Sequence, residues 1–136
     1  MEDRQLAGLK LAQQYWMDSR NADRKLKVKM ARDLHGFGLF SLNQLAKIVR
    51  TNVKVIAGEL EKNAKGGRFT PETISSLIIM RQTLLQNKRV SPMLLRLALQ
   101  AGTSFSCIVS LTGISYGAYY RDIPREFRRE DSEDES

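Results

Sequence analysis

The chain has 136 residues, of which 42% are hydrophobic, 27% charged and only 7% aromatic, a length that bounds it to one domain or two very small ones. No apolar run approaches the ~18 to 20 residues of a membrane span, Met1-Glu2-Asp3-Arg4 has no apolar leader core, and a single cysteine, Cys107, excludes an internally stapled secreted scaffold. Lys and Arg outnumber Asp and Glu 22 to 15, for a net charge of +7. Residues 130–136 hold five of those acids and no base, which leaves 22 bases against 10 acids, or +12, over the rest of the chain. A soluble intracellular chain that attracts polyanions, nucleic acid foremost, is the first expectation.

Helical patterns fill the sequence. Over residues 3–18, Leu6, Leu9, Gln13 and Trp16 recur at helical spacing beside Ala12 and Tyr15. Asn21 can cap a second helix with the stripe Leu26, Met30 and Leu34, stopped by Gly36 and Gly38. Ser41-Leu42-Asn43-Gln44 is a capping box that opens a short helix with Leu42, Leu45, Ala46 and Val49 inward. A break at Arg50-Thr51-Asn52 precedes a helix with Val53, Ile56 and Leu60, and Lys65-Gly66-Gly67 is a linker. Thr70-Pro71-Glu72 starts a helix reaching about residue 87, and Ser91-Pro92 starts another that Gly102 closes. A short helix over 105–111 meets Gly113, and Ser115 caps a last helix over about 116–122, which Pro124 ends. No stretch alternates long enough to form a strand, so the fold class is all-α.

Two stretches have the form of a capped short helix, a tight turn and a second short helix: residues 38–56, through Ser41, Ala46, Arg50, Thr51 and Asn52, and residues 102–121, through Ser104, Val109, Gly113, Ile114 and Ser115. Both resemble the helix-turn-helix DNA-binding family, and Gly113-Ile114-Ser115-Tyr116-Gly117-Ala118-Tyr119-Tyr120-Arg121 is similar to the recognition helix of insertion-element transposases and small phage or bacterial regulators. The resemblance implies a second helix that enters the major groove. It also implies Ile114 as anchor of the turn and Tyr119 packed beneath the recognition helix. The first stretch departs from the family at Arg50, where glycine is usual, and at Thr51, where an apolar residue is usual; the second departs at Val109, where alanine is usual. The expected architecture is therefore tandem helix-turn-helix units in a compact bundle. One lies in 1–64 with its motif at about 41–61, the other in 68–129 with its motif at about 104–122, and a disordered acidic tail follows over 130–136.

The resemblance places Ser115, Tyr116, Gly117, Tyr120 and Arg121 on the DNA-reading face of the second unit, with Arg121 aimed at guanine or phosphate. In the first unit Asn52, Lys54, Val55 and Gly58 take those places, with Arg50 at the turn; Asn52 serves equally as a helix cap. The basic run from Arg24 to Arg32 puts Lys25, Lys27 and Lys29 outward beside Leu26 and Met30 inward, a surface for phosphate contacts, which position but do not specify. Its apolar stripe lacks the bulk of a membrane-surface helix.

The sequence carries no enzyme pattern: His35 is the only histidine, at a helix end where a cation is favourable, Cys107 sits on an inner helix face as a small core residue, and Trp16 with Tyr15 is a core anchor. No metal, cofactor or phosphate-cradling loop is expected. The expected function is a sequence-specific double-stranded DNA-binding protein, a transcriptional repressor of phage or bacterial origin, cytoplasmic and nucleoid-associated. The alternatives are a DNA-recognition subunit of a larger machine, such as a small terminase or an excision factor, and a helical protein-interaction module. With two units in one chain and no dimerisation heptad, the expected species is a monomer on an asymmetric site.

Overall fold

A computed structural model of the chain describes residues 3–60, 68–115 and 117. Among them the chain forms seven α-helices and no strand: α1 Arg4–Asp18, α2 Arg24–His35, α3 Leu42–Ile48, α4 Val53–Ala57, α5 Ile74–Leu85, α6 Pro92–Gln100 and α7 Phe105–Thr112. The all-α class read from the sequence is the class observed. The linker at 65–67, the helix expected over 116–122 apart from Gly117, and the acidic tail lie outside the described residues.

Capping chemistry explains most boundaries. Asp3 accepts from the Leu6 amide at 2.8 Å to open α1, and Ser91 and Ser104 accept in the same way at the starts of α6 and α7. Helix α2 begins two residues later than expected. Asn21 is taken up in a 3-10 turn, Ser19–Asn21, and Asp23 supplies the cap by accepting from the Leu26 amide at 2.8 Å. Helix α5 follows a 3-10 turn, Pro71–Thr73, and ends at Leu85, short of residue 87, because Asn87 adopts φ +57. The Lys88 amide then returns to the Thr83 carbonyl and the Asn87 amide to that of Leu84, the two bonds of a Schellman end.

Helix α1 lies along α5 and also touches α2, α3 and α7, so the N-terminal helix is framed by both halves of the sequence. One core cluster runs from Leu9 to Ile114 and includes Leu34, Leu45, Ile48 and Ile56 from the first half and Leu77, Met80, Leu95 and Ile108 from the second. Phe40 and Phe69, both essentially buried, meet as a tilted ring pair with centroids 6.1 Å apart. Polar ties cross the same boundary: the Gln13 amide donates to Ser75 Oγ, and Gln5 Nε2 donates to the Ser110 carbonyl at 2.8 Å.

The inward stripe of α2 differs from the expected one. Leu26 is 43% exposed, while Met30, Ala31 and Leu34 are buried and Lys27 is half-buried. At 3.6 residues per turn, Lys27, Met30, Ala31 and Leu34 share one face, and Leu26 stands about a quarter-turn away from its centre. Lys27 can occupy that stripe because its aliphatic stem lies along apolar surface while its ammonium reaches a polar partner.

Candidate nucleic-acid interface

The unit formed by α3 and α4 starts with the capping box that the sequence announces. Ser41 Oγ accepts from the Gln44 amide at 3.3 Å, and Gln44 Oε1 accepts from the Ser41 amide at 2.7 Å. Gln44 is only 2% exposed, and its side-chain amide also donates to Cys107 Sγ, which joins the start of α3 to α7. Ala46 is buried.

The turn keeps its shape without a glycine. Arg50 stands in the left-handed region at φ +57, and the Arg50 amide returns to Lys47 O at 3.3 Å while the Thr51 amide returns to Ala46 O at 2.9 Å. For an L-residue this backbone is costly, and the Arg50 side chain answers with contacts to α1. Its guanidinium carbon stands 3.5 Å from the centroid of the Trp16 ring, and Nε donates to the Trp16 carbonyl at 2.9 Å. Two further side chains close the carbonyl end of α3: Ser19 Oγ donates to Ile48 O at 3.2 Å, and Lys27 Nζ donates to Arg50 O at 2.9 Å. Arg50 and Lys27, both expected at the DNA, are thus turned inward to hold the turn, which corrects the picture of Lys27 fanning outward with Lys25 and Lys29. Asn52 takes the capping alternative and accepts from the Lys54 amide at 2.9 Å.

Beyond the turn, α4 is five residues long. Lys54, Ala57 and Gly58 are exposed, Val55 is half-buried and Ile56 is buried. Two open grooves border this helix. One, of about 810 Å³, is lined by the α2 bases Arg24, Lys25, Lys29 and Arg32 with Leu26 and Val28, and by the acids Asp23 and Glu59. Glu59, just past α4, pairs with Arg32 at 3.1 Å, both side chains more than half exposed. The other groove, of about 380 Å³, is lined by Asn52 and Val53 at the start of α4, with Lys47 and Arg68 and, among the described residues, no acid. Lys47 Nζ donates to the Phe69 carbonyl at 3.2 Å, and Arg68 is exposed. Arg68 lay outside the patterns that nominated site residues, since it stands alone after the linker and no helical face announces it.

The unit opened by α7 is built differently. Ser104 caps it, and Gly113 ends it at φ +81 with its amide on Val109 O at 2.9 Å. Thr112 Oγ1 donates to Ile108 O at 2.7 Å and accepts from the Ile114 amide at 3.3 Å. Ile114 is 2% exposed. Arg81, the one charge in an otherwise uncharged helix α5, closes the carbonyl end of α7: Nη1 donates to Thr112 O at 2.9 Å, and Nε and Nη2 donate to the Asp3 carboxylate at 3.0 and 2.6 Å. These hydrogen bonds, together with the capped Leu6 amide and the guanidinium charge, hold the Asp3 carboxyl below its usual range against the opposing effect of burial. Ser115 and Gly117 are exposed, and a Cβ at Gly117 would meet no described residue within 4 Å. Tyr116, Tyr119, Tyr120 and Arg121 lie outside the described residues.

The remaining expected residues divide plainly. Lys25 and Lys29 are exposed on α2, Cys107 is fully buried, and Trp16 is half-buried beneath Arg50. Tyr15 donates to Asp33 across α1 and α2 at 2.8 Å, and burial, then that bond, pushes its phenol up to about 12. His35 ends α2. Among the described residues no three His, Cys, Asp or Glu side chains gather as metal ligands, and no helix is long and apolar enough to cross a membrane. Comparison with known protein families, curated proteins and solved structures finds no match for the chain.

Proposed function

We propose that the chain is a sequence-specific double-stranded DNA-binding protein, a transcriptional regulator that represses by occupying its site, of phage or bacterial type and nucleoid-associated. The observation that carries this reading is the setting of α4: a short helix on a clamped turn, with exposed Lys54 on it, bordered at one end by a groove carrying Lys47 and Arg68 and at the other by a groove carrying four bases of α2. A helix in the major groove lies between two phosphate backbones, so bases are useful on both sides of it. In this reading Arg24, Lys25 and Lys29 meet one backbone and Lys47 and Arg68 the other, while Lys54 and the edge of Val55 approach the bases.

A helix of little more than one turn reads few base pairs, so the reading assigns a share of the specificity to the second unit, through Ser115, Tyr116, Gly117, Tyr120 and Arg121. With both units on one chain, a monomer would cover an asymmetric site. Mobility shifts on fragments of the native genome test this. One fragment should be preferred at physiological salt, and Lys25→Ala, Lys29→Ala and Arg68→Ala should each reduce the salt slope by about one while weakening all sequences alike. Arg121→Ala should cost ~1 to 3 kcal/mol and relax preference at one position if it meets a base. Equal binding to all fragments, or none, would overturn the reading.

A further inference from the structure

We propose that Arg50 is a positioning residue that fixes the angle of α4, through its stack on Trp16, and makes no contact with DNA. The inference rests on the DNA-binding reading for its consequence and on the geometry of the turn for its cause. Two side chains from segments before the turn reach the peptide units that end α3, Ser19 from the 3-10 turn on Ile48 O and Lys27 from α2 on Arg50 O, and Arg50 reaches back from the turn itself to Trp16 of α1. The Arg50 guanidinium is spent on this contact. One face covers the indole at 3.5 Å, Nε is on the Trp16 carbonyl, and Nη2 is buried with no hydrogen-bond partner. An arginine that served a phosphate would present both arms of its fork, whereas Arg50 buries Nη2.

The turn residue also decides what α4 can do. The peptide after Arg50 leads in two residues to Asn52, which caps α4 and so sets where Lys54 stands. A glycine at position 50 would satisfy φ +57 at no steric cost, yet it would leave the turn tied to α1 and α2 only by Ser19 and Lys27. The arginine thus supplies what the family's usual glycine does not, a side-chain tether from the turn to the body of the protein. Trp16 is the only tryptophan of the chain, so its fluorescence reports on the tether directly.

The test combines a double-mutant cycle on DNA affinity with amide exchange on the free protein. Arg50→Gly and Trp16→Leu should each weaken binding to the preferred fragment about tenfold, a size between that of an exposed and that of a desolvated cation–π contact. Together they should weaken it no further, because they break one interaction. The salt slope should stay unchanged in both, whereas a lost phosphate contact lowers it by about 0.9. Trp16→Phe, which keeps an aromatic face for the guanidinium, should restore most of the affinity. In the free protein Arg50→Gly should speed exchange of the Val55 amide, which the Asn52 carbonyl accepts at 2.9 Å, more than that of Leu45 at the start of α3. A reduced salt slope, or losses that multiply, would return Arg50 to the phosphate and overturn the proposal. Unchanged exchange in α4 would overturn the tether whatever the DNA result. If the unmodified chain binds no duplex, the DNA reading falls and with it the effect of Arg50 on binding, while the exchange experiment still decides whether Arg50 holds α4.

Discussion

The turns after α3 and after α7 meet the same backbone requirement by opposite means. Each chain reversal needs one residue at positive φ, Arg50 at +57 and Gly113 at +81. At Gly113 the side chain is deleted, and the vacated space is filled by a neighbour: a Cβ there would stand 2.6 Å from Arg81 Nη1. At Arg50 the side chain is kept and put to use against Trp16. Both turns engage a guanidinium: one comes from a distant helix, donates to the closing carbonyl Thr112 O and is neutralised by Asp3, while the other belongs to the turn residue and rests on the indole and the carbonyl of Trp16. At Gly113, then, the glycine stands where the space beside it is claimed by something else. Where the space is free, a long side chain can repay the strain.

The largest expected effect breaks the second turn. Gly113→Ala forces an L-residue to φ +81 and pushes Arg81 off Thr112 O and Asp3, so a loss of about 3 kcal/mol is expected from the backbone and the displaced bonds together. Chemical denaturation measures it, and a loss below about 1 kcal/mol would mean that Arg81 has another resting place nearby. Next comes the clamp itself. Arg81→Leu leaves a carboxylate only 20% exposed and the Thr112 carbonyl without their donor, at a cost of about 2 kcal/mol. Because Asp3 titrates below its ordinary value of 3.8 in the folded chain, its contribution is present above that pH and is lost as pH falls through the lower folded value. Acid unfolding of Arg81→Leu should therefore show a flatter pH dependence below about pH 4 than the unmodified chain.

How much of this was legible beforehand follows from the range of each interaction. Caps and left-handed ends are local, so Ser41 with Gln44, Ser91, Ser104, Gly102 and Gly113 announced their boundaries within four residues. Asp23 outcompeted Asn21 because the 3-10 turn at Ser19–Asn21 consumed the earlier candidate, which no local rule ranks. Periodicity placed Met30 and Leu34 inside but also Leu26, since a stripe read from apolar residues alone cannot admit Lys27 as an inward member. The clamps were invisible for a different reason: Asp3 and Arg81 are 78 positions apart, and Trp16 and Arg50 are 34 apart. The one available signal was contextual, a lone arginine in the apolar stretch Ile78-Ile79-Met80-Arg81, where an unpaired charge would be costly. At the candidate interface the outward bases Lys25 and Lys29 were read from charge and spacing and Lys54 from the resemblance, whereas Lys47 and Arg68 needed the grooves beside α4 to bring them into view.

The first turn should respond more gently, and in a diagnostic order. Arg50→Ala keeps the strained φ and loses the stack, whereas Arg50→Gly loses the stack and relaxes the backbone, so the alanine variant should be less stable than the glycine variant by about 1 kcal/mol. Equal stability would mean that the left-handed residue carries no strain for glycine to relieve. At Gly113 the same comparison has the same sign and a larger size, because there the added methyl also meets Arg81.

The smallest effect separates the two turns by pH. The wall that bears Trp16 is tied to α2 by Tyr15, whose hydroxyl donates to Asp33, and its pKa is raised from 10.0 to about 12 in the folded chain. A proton retained more tightly on folding stabilises fully below pH 10 and is lost as pH rises through about 12. The turn at Arg50 should therefore loosen in alkali, while the turn at Gly113, which depends on ionised Asp3, should loosen in acid. Tyr15→Phe should remove the alkaline dependence between pH 10 and 12 and leave the acid limb unchanged. One hydroxyl bond is worth only ~0.5 to 1.5 kcal/mol, so the signal is best sought as a change in the slope of stability against pH rather than in its size at neutrality. Exchange of the Thr51 amide followed at high pH, against that of Gly113 followed at low pH, would assign each limb to its own turn. Parallel loosening of both turns in acid would show that Asp3 and Arg81 support the whole bundle rather than the end of α7 alone.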